Sequence, residues 1–328
     1  MDEISSLSVR IHRLEISTPF PVGTVNSYFV AEPVPTLIDT PPNGAQYMDE
    51  VTEKLRALGY RIQDIGRIIV THPHIDHSGL AATIQELSGA EVWASAGGVG
   101  WLEDYEGELR REEEFSIAFL ISAGAPAAWV KEVVPQFFGP ARAFSRSVKP
   151  SRYLSAGDNL SLAGTSFTVK AVPGHTPWCM LIYNPESAIG FSGDFLLKDI
   201  SSNALCQRPD VASPGYKSLK AYLKSLADVR ALHLRCIFPG HGAMINEPSH
   251  RIDELLSFIA ERRELILTIL AKGEQAPYQM MGELFPGLPG HQLFLAISEI
   301  MGHLEVLEDE GLAVRTHDDP IRFAPVHP

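Results

Sequence analysis

At 328 residues, 45% apolar and 20% charged, the chain has the balance of a soluble globular protein. A core of that size needs no disulfides, and the length leaves room for two domains. Its net charge of −13, from 27 basic and 40 acidic residues, disfavours polyanionic partners unless a local basic patch compensates. No apolar run approaches the roughly 18 residues of a membrane span. The acidic start Met1-Asp2-Glu3-Ile4-Ser5-Ser6 lacks the apolar stretch of a secretory signal. Three dispersed cysteines, Cys179, Cys206 and Cys236, form no C-x-x-C pair, so reduced thiols and a cytoplasmic setting are expected.

The first half reads as strands alternating with helices. Residues 25–30 and 36–39 have strand composition, and Tyr47, Val51, Leu55 and Leu58 recur at helical spacing until Gly59 stops them. The run Arg67-Ile68-Ile69-Val70 predicts a buried strand, Leu80, Ile84 and Leu87 a helix, and Glu91-Val92-Trp93-Ala94 the next strand. Residues 101–150 then form a long insertion of helical character. Phe115, Phe119, Leu120 and Ile121 make one run, Val130, Val133, Val134, Phe137 and Phe138 a second, and Pro140 and Pro150 punctuate its end. A strand pair near Leu160 follows, then strands ending at Val172, Ser192 and Phe238, with a helix over 216–226 between the last two. The remainder predicts helices over 250–272, 278–284 and 291–310, then strands 312–316 and 321–324 joined by the turn His317-Asp318-Asp319-Pro320.

Chemistry concentrates at strand ends. Thr71-His72-Pro73-His74-Ile75-Asp76-His77-Ser78-Gly79 sets three imidazoles and a carboxylate in the loop that leaves the strand ending at Val70. Three later strands stop at Gly or Pro-Gly and each presents one more donor: His175 after Pro173-Gly174, Asp194 after Gly193, and His241 after Pro239-Gly240. Glycine lets a short loop turn sharply and approach a metal closely. Imidazole and carboxylate suit zinc, iron or manganese. One histidine after a strand is ordinary; four such signals in one order point to a metal site.

With these motifs the chain resembles the metallo-β-lactamase superfamily of metal-dependent hydrolases, over roughly residues 5 to 248. The resemblance implies that His72, His74 and His175 ligate one metal, that Asp76, His77 and His241 ligate another, and that Asp194 bridges the pair. Asp39, ending an early strand, would orient ligands and loop backbone instead of binding. The implied fold is α/β (α+β), a four-layer αββα sandwich with every metal loop at one edge. Seven donors shared by two divalent ions leave open positions for water and substrate; Zn is expected first, and Fe or Mn also suit the set. Such a pair lowers the pKa of bound water from about 15.7 towards neutrality and polarises a carbonyl or phosphoryl oxygen. Asp76 would orient the resulting hydroxide or carry its proton to the leaving group.

These readings divide the chain into a hydrolase domain, 1–250, with its helical insertion 101–150, and a winged-helix-like domain, 251–328. The insertion is either a peripheral hairpin or a lid whose apolar residues recognise an acyl group. The tail has six basic against 13 acidic residues, and its third helix carries Glu299, Glu305, Glu308, Asp309 and Glu310 without a Lys or Arg. That charge opposes phosphate contact and favours a packing or dimerisation role, so a nucleic-acid partner is not expected, while the apolar insertion and tail leave a homodimer open. The leading function is hydrolysis of a carboxylic thioester, ester or lactone of a small molecule, the site being similar to that of glyoxalase II. Lys198, Asn203 and Tyr216 are the candidate substrate contacts. A phosphodiester-cleaving nuclease and a persulfide dioxygenase-like iron enzyme are the alternatives. A nucleic-acid-binding regulator with a vestigial site is opposed by the intact donor set.

Overall fold

Every residue of the strand Val25–Val30 is buried, so both of its faces must be covered. The computed structural model, which describes residues 11–326, shows how. The acidic start, 1–6, lies outside the described residues. One sheet runs in the order β1 (Ile11–Ile16), β2 (Val25–Val30), β3 (Thr36–Ile38), β4 (Arg67–Val70), β5 (Glu91–Ser95) and β6 (Arg152–Leu154). Its first three strands pair antiparallel and β3 to β6 are parallel. The second sheet contains β7 (Asn159–Leu162), β8 (Thr165–Ala171), β9 (Met180–Asn184), β10 (Ile189–Gly193) and β11 (Cys236–Pro239), antiparallel except for the parallel pair β10 and β11.

Period-2 alternation assigns the two faces of each sheet. Tyr28, Ile38 and Ile69 point inward and meet Phe167, Ile182 and Phe191 of the second sheet. Phe29, Leu37 and Ile68 point outward, against Val51 and Leu55 of α1 (Ala45–Ala57) and, beyond the single turn α2 (Ile75–Ser78), Ile84 of α3 (Ala81–Ser88). The insertion supplies α4 (Val99–Glu103), α5 (Tyr105–Ser122) and α6 (Ala127–Ala141). On the far side Leu181 and Ile237 lie under α7 (Ser218–Arg230) and α8 (Pro248–Leu270). Helix, sheet, sheet, helix is the resulting order. The chain closes with α9 (Pro277–Leu284), α10 (Leu293–Asp309) and the hairpin β12 (Ala313–Asp318) and β13 (Ile321–Pro325).

The insertion and the tail share one core. Leu109, Leu120 and Val130 of α5 and α6 pack in the same cluster as Met280, Ile297 and Phe323 of the C-terminal elements. The 100 residues from 151 to 250 separate the two segments that make this flank. The acidic residues of α10 are spent internally: Glu299 lies 2.7 Å from Arg262, Glu310 2.6 Å from Arg263, and Asp309 2.6 Å from Lys217 and 2.7 Å from Lys220.

Several elements differ from the sequence expectations, and the expected helices 250–272 and 291–310 run over Pro248–Leu270 and Leu293–Asp309. The sequence reading offers no element for β1 or β9. The helix expected over 216–226 begins at Ser218 and reaches Arg230, because Tyr216 and Lys217 still belong to the incoming loop. The C-terminal strands pair through Asp318 and Ile321, so the turn contracts to Asp319-Pro320. Among the described residues no helix is long and apolar enough to cross a membrane.

Candidate metal centre

Parallel strands deliver their C-terminal ends to one edge of a sheet, and the loops leaving β3, β4, β8, β10 and β11 meet at that edge. Two close backbone approaches make the convergence possible. Gly193 holds φ 48°, and a Cβ there would collide with Thr71 Oγ1 and lie 3.2 Å from His72 Nδ1. At Gly240 a Cβ would meet Asp194 Oδ1 and lie 2.5 Å from His77 Cε1. Glycine is therefore required at both strand ends for the donors beyond them to come together.

Two trios result that share no residue, His72 with His74 and His175, and Asp76 with His77 and His241, each with donor atoms within 4.8 Å of one another; Asp39 with His72 and His77 makes a third, overlapping group behind them. His175 Nε2 lies 3.0 Å from His74 Nδ1, and His77 Nε2 lies 3.3 Å from His241 Nε2. Asp194 sits between the trios. Its Oδ2 is 3.8 Å from His175 Nε2, 4.0 Å from His72 Nε2 and 3.5 Å from His241 Nε2, and its Oδ1 is 3.2 Å from His77 Nε2. Asp76 Oδ2 reaches to 3.4 Å from His241 Nε2.

The outward nitrogens are tied to the protein. His175 Nδ1 lies 2.9 Å from the Asn203 carbonyl, and His241 Nδ1 lies 2.7 Å from the Thr24 carbonyl. His77 Nδ1 is 3.0 Å from Asp39 Oδ2. Asp39 also accepts from Thr71 N and Thr71 Oγ1, both at 2.7 Å. Three bonds thus hold Asp39 in a left-handed conformation, φ 60°, that a non-glycine residue otherwise avoids. Donation outward leaves each ring's other nitrogen with its lone pair aimed into the cluster.

The electrostatics separate the trios. Burial and the neighbouring imidazoles hold His72 far below the ordinary histidine value, and burial with the crowding of His175 brings His74 to about 3. His175 is lowered as well, chiefly by burial. Burial also disfavours charge on His77 and His241, but the carboxylates outweigh it: Asp194 and Asp76 lift His77 well above its usual value, and Asp194 leads in lifting His241 to about 10. Asp194 in turn stays far below the carboxylate range, its burial being overcome by His77 and His241.

This arrangement fits divalent cations. His72 Nε2 is wholly buried and has no hydrogen-bond partner in the protein, a costly state for a polar atom unless something else satisfies it. The neutral imidazoles of His72, His74 and His175 and the ionised Asp194 suit a zinc, iron or manganese site, and a cation bound beside Asp76 would take the place of the extra proton that the carboxylates hold on His77 and His241.

The "Metallo-beta-lactamase superfamily" profile matches residues 20–241, a span that takes in every one of these donors. The chain belongs to the metallo-beta-lactamase superfamily. It is a mixed α/β metallo-hydrolase of that superfamily. It is 29% identical over 298 residues to the "Probable metallo-hydrolase YqjP" of Bacillus subtilis, covering 90% of this chain and 92% of that protein. The crystal structure of metallo-beta-lactamase family protein TTHA1429 from Thermus thermophilus superposes with a TM-score of 0.80 at 26% identity, over 96% of this chain and 98% of that one. The acyl-coenzyme A thioesterase MBLAC2 of Gallus gallus is 31% identical over 133 residues, covering 38% of this chain and 40% of that protein.

The three candidate substrate contacts go to different places. Lys198 is exposed on the loop beyond Asp194. Tyr216 is partly buried, with a hydroxyl that has no partner and a pKa raised by burial. Asn203 stands behind His175, its side-chain Nδ2 donating to the Leu295 carbonyl at 2.9 Å. Sequence reasoning passed over Thr24, Thr71 and Arg208. The Thr24 carbonyl anchors His241 from an antiparallel hairpin far away in sequence, and no local pattern marks it. Arg208 is buried and pins the loop beyond Asp194 to α5: it pairs with Glu108, donates to the Glu108 carbonyl at 3.2 Å, and lies 3.2 Å from Asp210 and 3.8 Å from Glu112.

Proposed function

We propose that this superfamily member hydrolyses a carboxylic thioester of a small molecule, with esters and lactones as related substrates. In this reading His72, His74 and His175 hold one divalent ion, Asp76, His77 and His241 the other, and Asp194 lies between them. Zn is the first expectation for both, with Fe or Mn also suited to the donors. Such ions supply Lewis acidity at an acyl oxygen and acidify a water beside it. The protein's share is orientation. Asp39 and the Asn203 and Thr24 carbonyls fix which nitrogen of each imidazole faces the centre. Asp76, half-buried at the mouth of the cluster, is placed to accept the water's proton at a carboxylate oxygen and return it to the leaving thiol.

The observation that carries the reading is the convergence of two donor trios on one carboxylate, Asp194, in a chain with a partial match to an acyl-coenzyme A thioesterase. The reading includes the division of the chain into 1–250 and 251–328 and a cytoplasmic setting. The internal ion pairing of α10 leaves no basic stripe for a phosphate backbone, which weighs against the nuclease alternative. Thiol release from a panel of acyl-CoA and acyl-glutathione thioesters by metal-loaded protein tests the proposal, with Asp194→Ala as control. Turnover lost in the control supports it; silence across the panel overturns the thioester and moves the test to lactones.

A further inference from the structure

The loop between β10 and α7 touches two of the candidate ligands through adjacent residues. The Ser202 hydroxyl donates to the main-chain carbonyl of Asp194, and the Asn203 carbonyl faces His175 Nδ1 at 2.9 Å. The Asn203 side chain turns the other way. Its Nδ2 donates to the Leu295 carbonyl in the first turn of α10, at 2.9 Å, while its Oδ1 is buried without a partner. Behind the loop lies a cavity of about 80 Å³ walled by α7, α8 and α10, whose lining includes Asn203, Ser298, Glu299 and His303. Ser298 is wholly buried there, and its hydroxyl likewise has no partner. Close packing normally holds a loop in place. Here an open volume stands where packing would be, so the Asn203–Leu295 hydrogen bond is the direct side-chain restraint on residue 203, beside the Ser202 bond to Asp194 and the Arg251 bond to the Ile200 carbonyl at 3.0 Å.

We propose that Asn203 is a positioning residue through which the C-terminal helical unit sets His175 at the metal centre. The proposal rests on the metal-site reading above and adds to it a role for α10. The Asn203 side chain touches no donor. It fixes a peptide carbonyl, that carbonyl fixes the imidazole, and the imidazole's other nitrogen faces His74. Groups of this outer kind change metal affinity by about 10–100-fold when removed. The effect should fall on the trio containing His175, since His77 and His241 are anchored by Asp39 and the Thr24 carbonyl instead.

The test uses the full chain loaded with Zn²⁺, and separately with Co²⁺ for its absorption spectrum, then challenged with a chelator. Asn203→Ala keeps the carbonyl facing His175 and removes the tether. Asn203→Leu keeps a side chain of similar size and removes the donor to Leu295 without adding charge, which covers the case in which the alanine variant folds poorly. Ser298→Ala, which lines the same cavity but links nothing, is the control. The expected result is that one of the two ions leaves about 10–100-fold faster from both Asn203 variants, with a changed Co²⁺ spectrum, while Ser298→Ala matches the wild type. Wild-type release of both ions from both Asn203 variants overturns the proposal, as does an equal effect of Ser298→Ala. A wild-type chain that takes up no metal sinks the site reading, and the proposal with it; two ions held and released identically by all variants sinks the proposal alone.

Discussion

At the edge of the sandwich, buried polar groups converge. Five imidazoles, Asp76 and Asp194 turn their free atoms towards one another, and His72 Nε2 is left without any protein partner. In the helical flank, charge is paired off instead, from the buried Arg208 out to the exposed Asp309. Arg208 of the loop beyond Asp194 answers Glu108 of α5, Arg262 of α8 answers Glu299 of α10, and Lys217 at the start of α7 answers Asp309. Each of these pairs crosses from one segment of the chain to another. The two regions spend the same side-chain chemistry differently. Convergent unpaired donors cost stability and create a place for a cation; paired charges hold segments in register and leave nothing over for chemistry.

The comparison is broken most severely at Asp194, which lies between the two trios. Asp194→Ala should abolish turnover and metal binding together, read by metal analysis beside thiol release; a variant with wild-type activity would remove the site assignment. If Asp39 orients His77 and the Thr71 backbone, as its hydrogen bonds suit it to do, Asp39→Ala should weaken metal binding by about 10–100-fold and leave both equivalents able to bind at saturation.

In the flank the same kind of cut should cost stability and spare the metal. Arg208→Met takes away one of the two cations on Glu108, which keeps Arg111 at 2.7 Å, and should cost about 1–3 kcal/mol in denaturant unfolding. A cost under about 1 kcal/mol would mean that the loop beyond Asp194 is held by other contacts. Leu120→Ala in α5 should cost about 2–5 kcal/mol, because the residue is fully buried in the core that the insertion shares with the tail. Metal content should not follow that loss if flank and site are separate in the way described.

The gentlest probe is pH. Burial raises Glu112 from its ordinary 4.5 to about 7, with Arg208 pulling the other way. Between those values the native chain keeps a proton that the unfolded chain has released, so stability falls as pH rises through that window. Glu112→Gln should flatten the fall by on the order of 1–3 kcal/mol across the window. An unchanged stability profile would show that Glu112 ionises at its ordinary value beside Arg208.

The donors were legible because each one rides on a short contiguous signal. An apolar strand, a glycine and then an imidazole or carboxylate occupy a handful of adjacent residues, as at Gly193-Asp194 and Gly240-His241. The buried strands were legible for the same reason, since their apolar runs demand cover on both faces. The insertion was harder to read. Its helical spacing was visible at Val130 and Val134, yet nothing within residues 101–150 says that its partner core is made by Ile297 and Phe323. Strand β1, with mixed burial in Ile11–Ile16, is recognisable only once β2 pairs with it.

The sequence by itself determined the strand-end donors and the sandwich, because local backbone chemistry and side-chain alternation act over a few residues. Only the tertiary structure decided what stands behind those donors. Asn203 against His175 is a contact across 28 residues, Thr24 against His241 one across 217, and Asn203 against Leu295 one across 92. Such contacts are written by how separate elements pack, and two residues that meet only after packing share no spacing, period or motif that a linear reading could find.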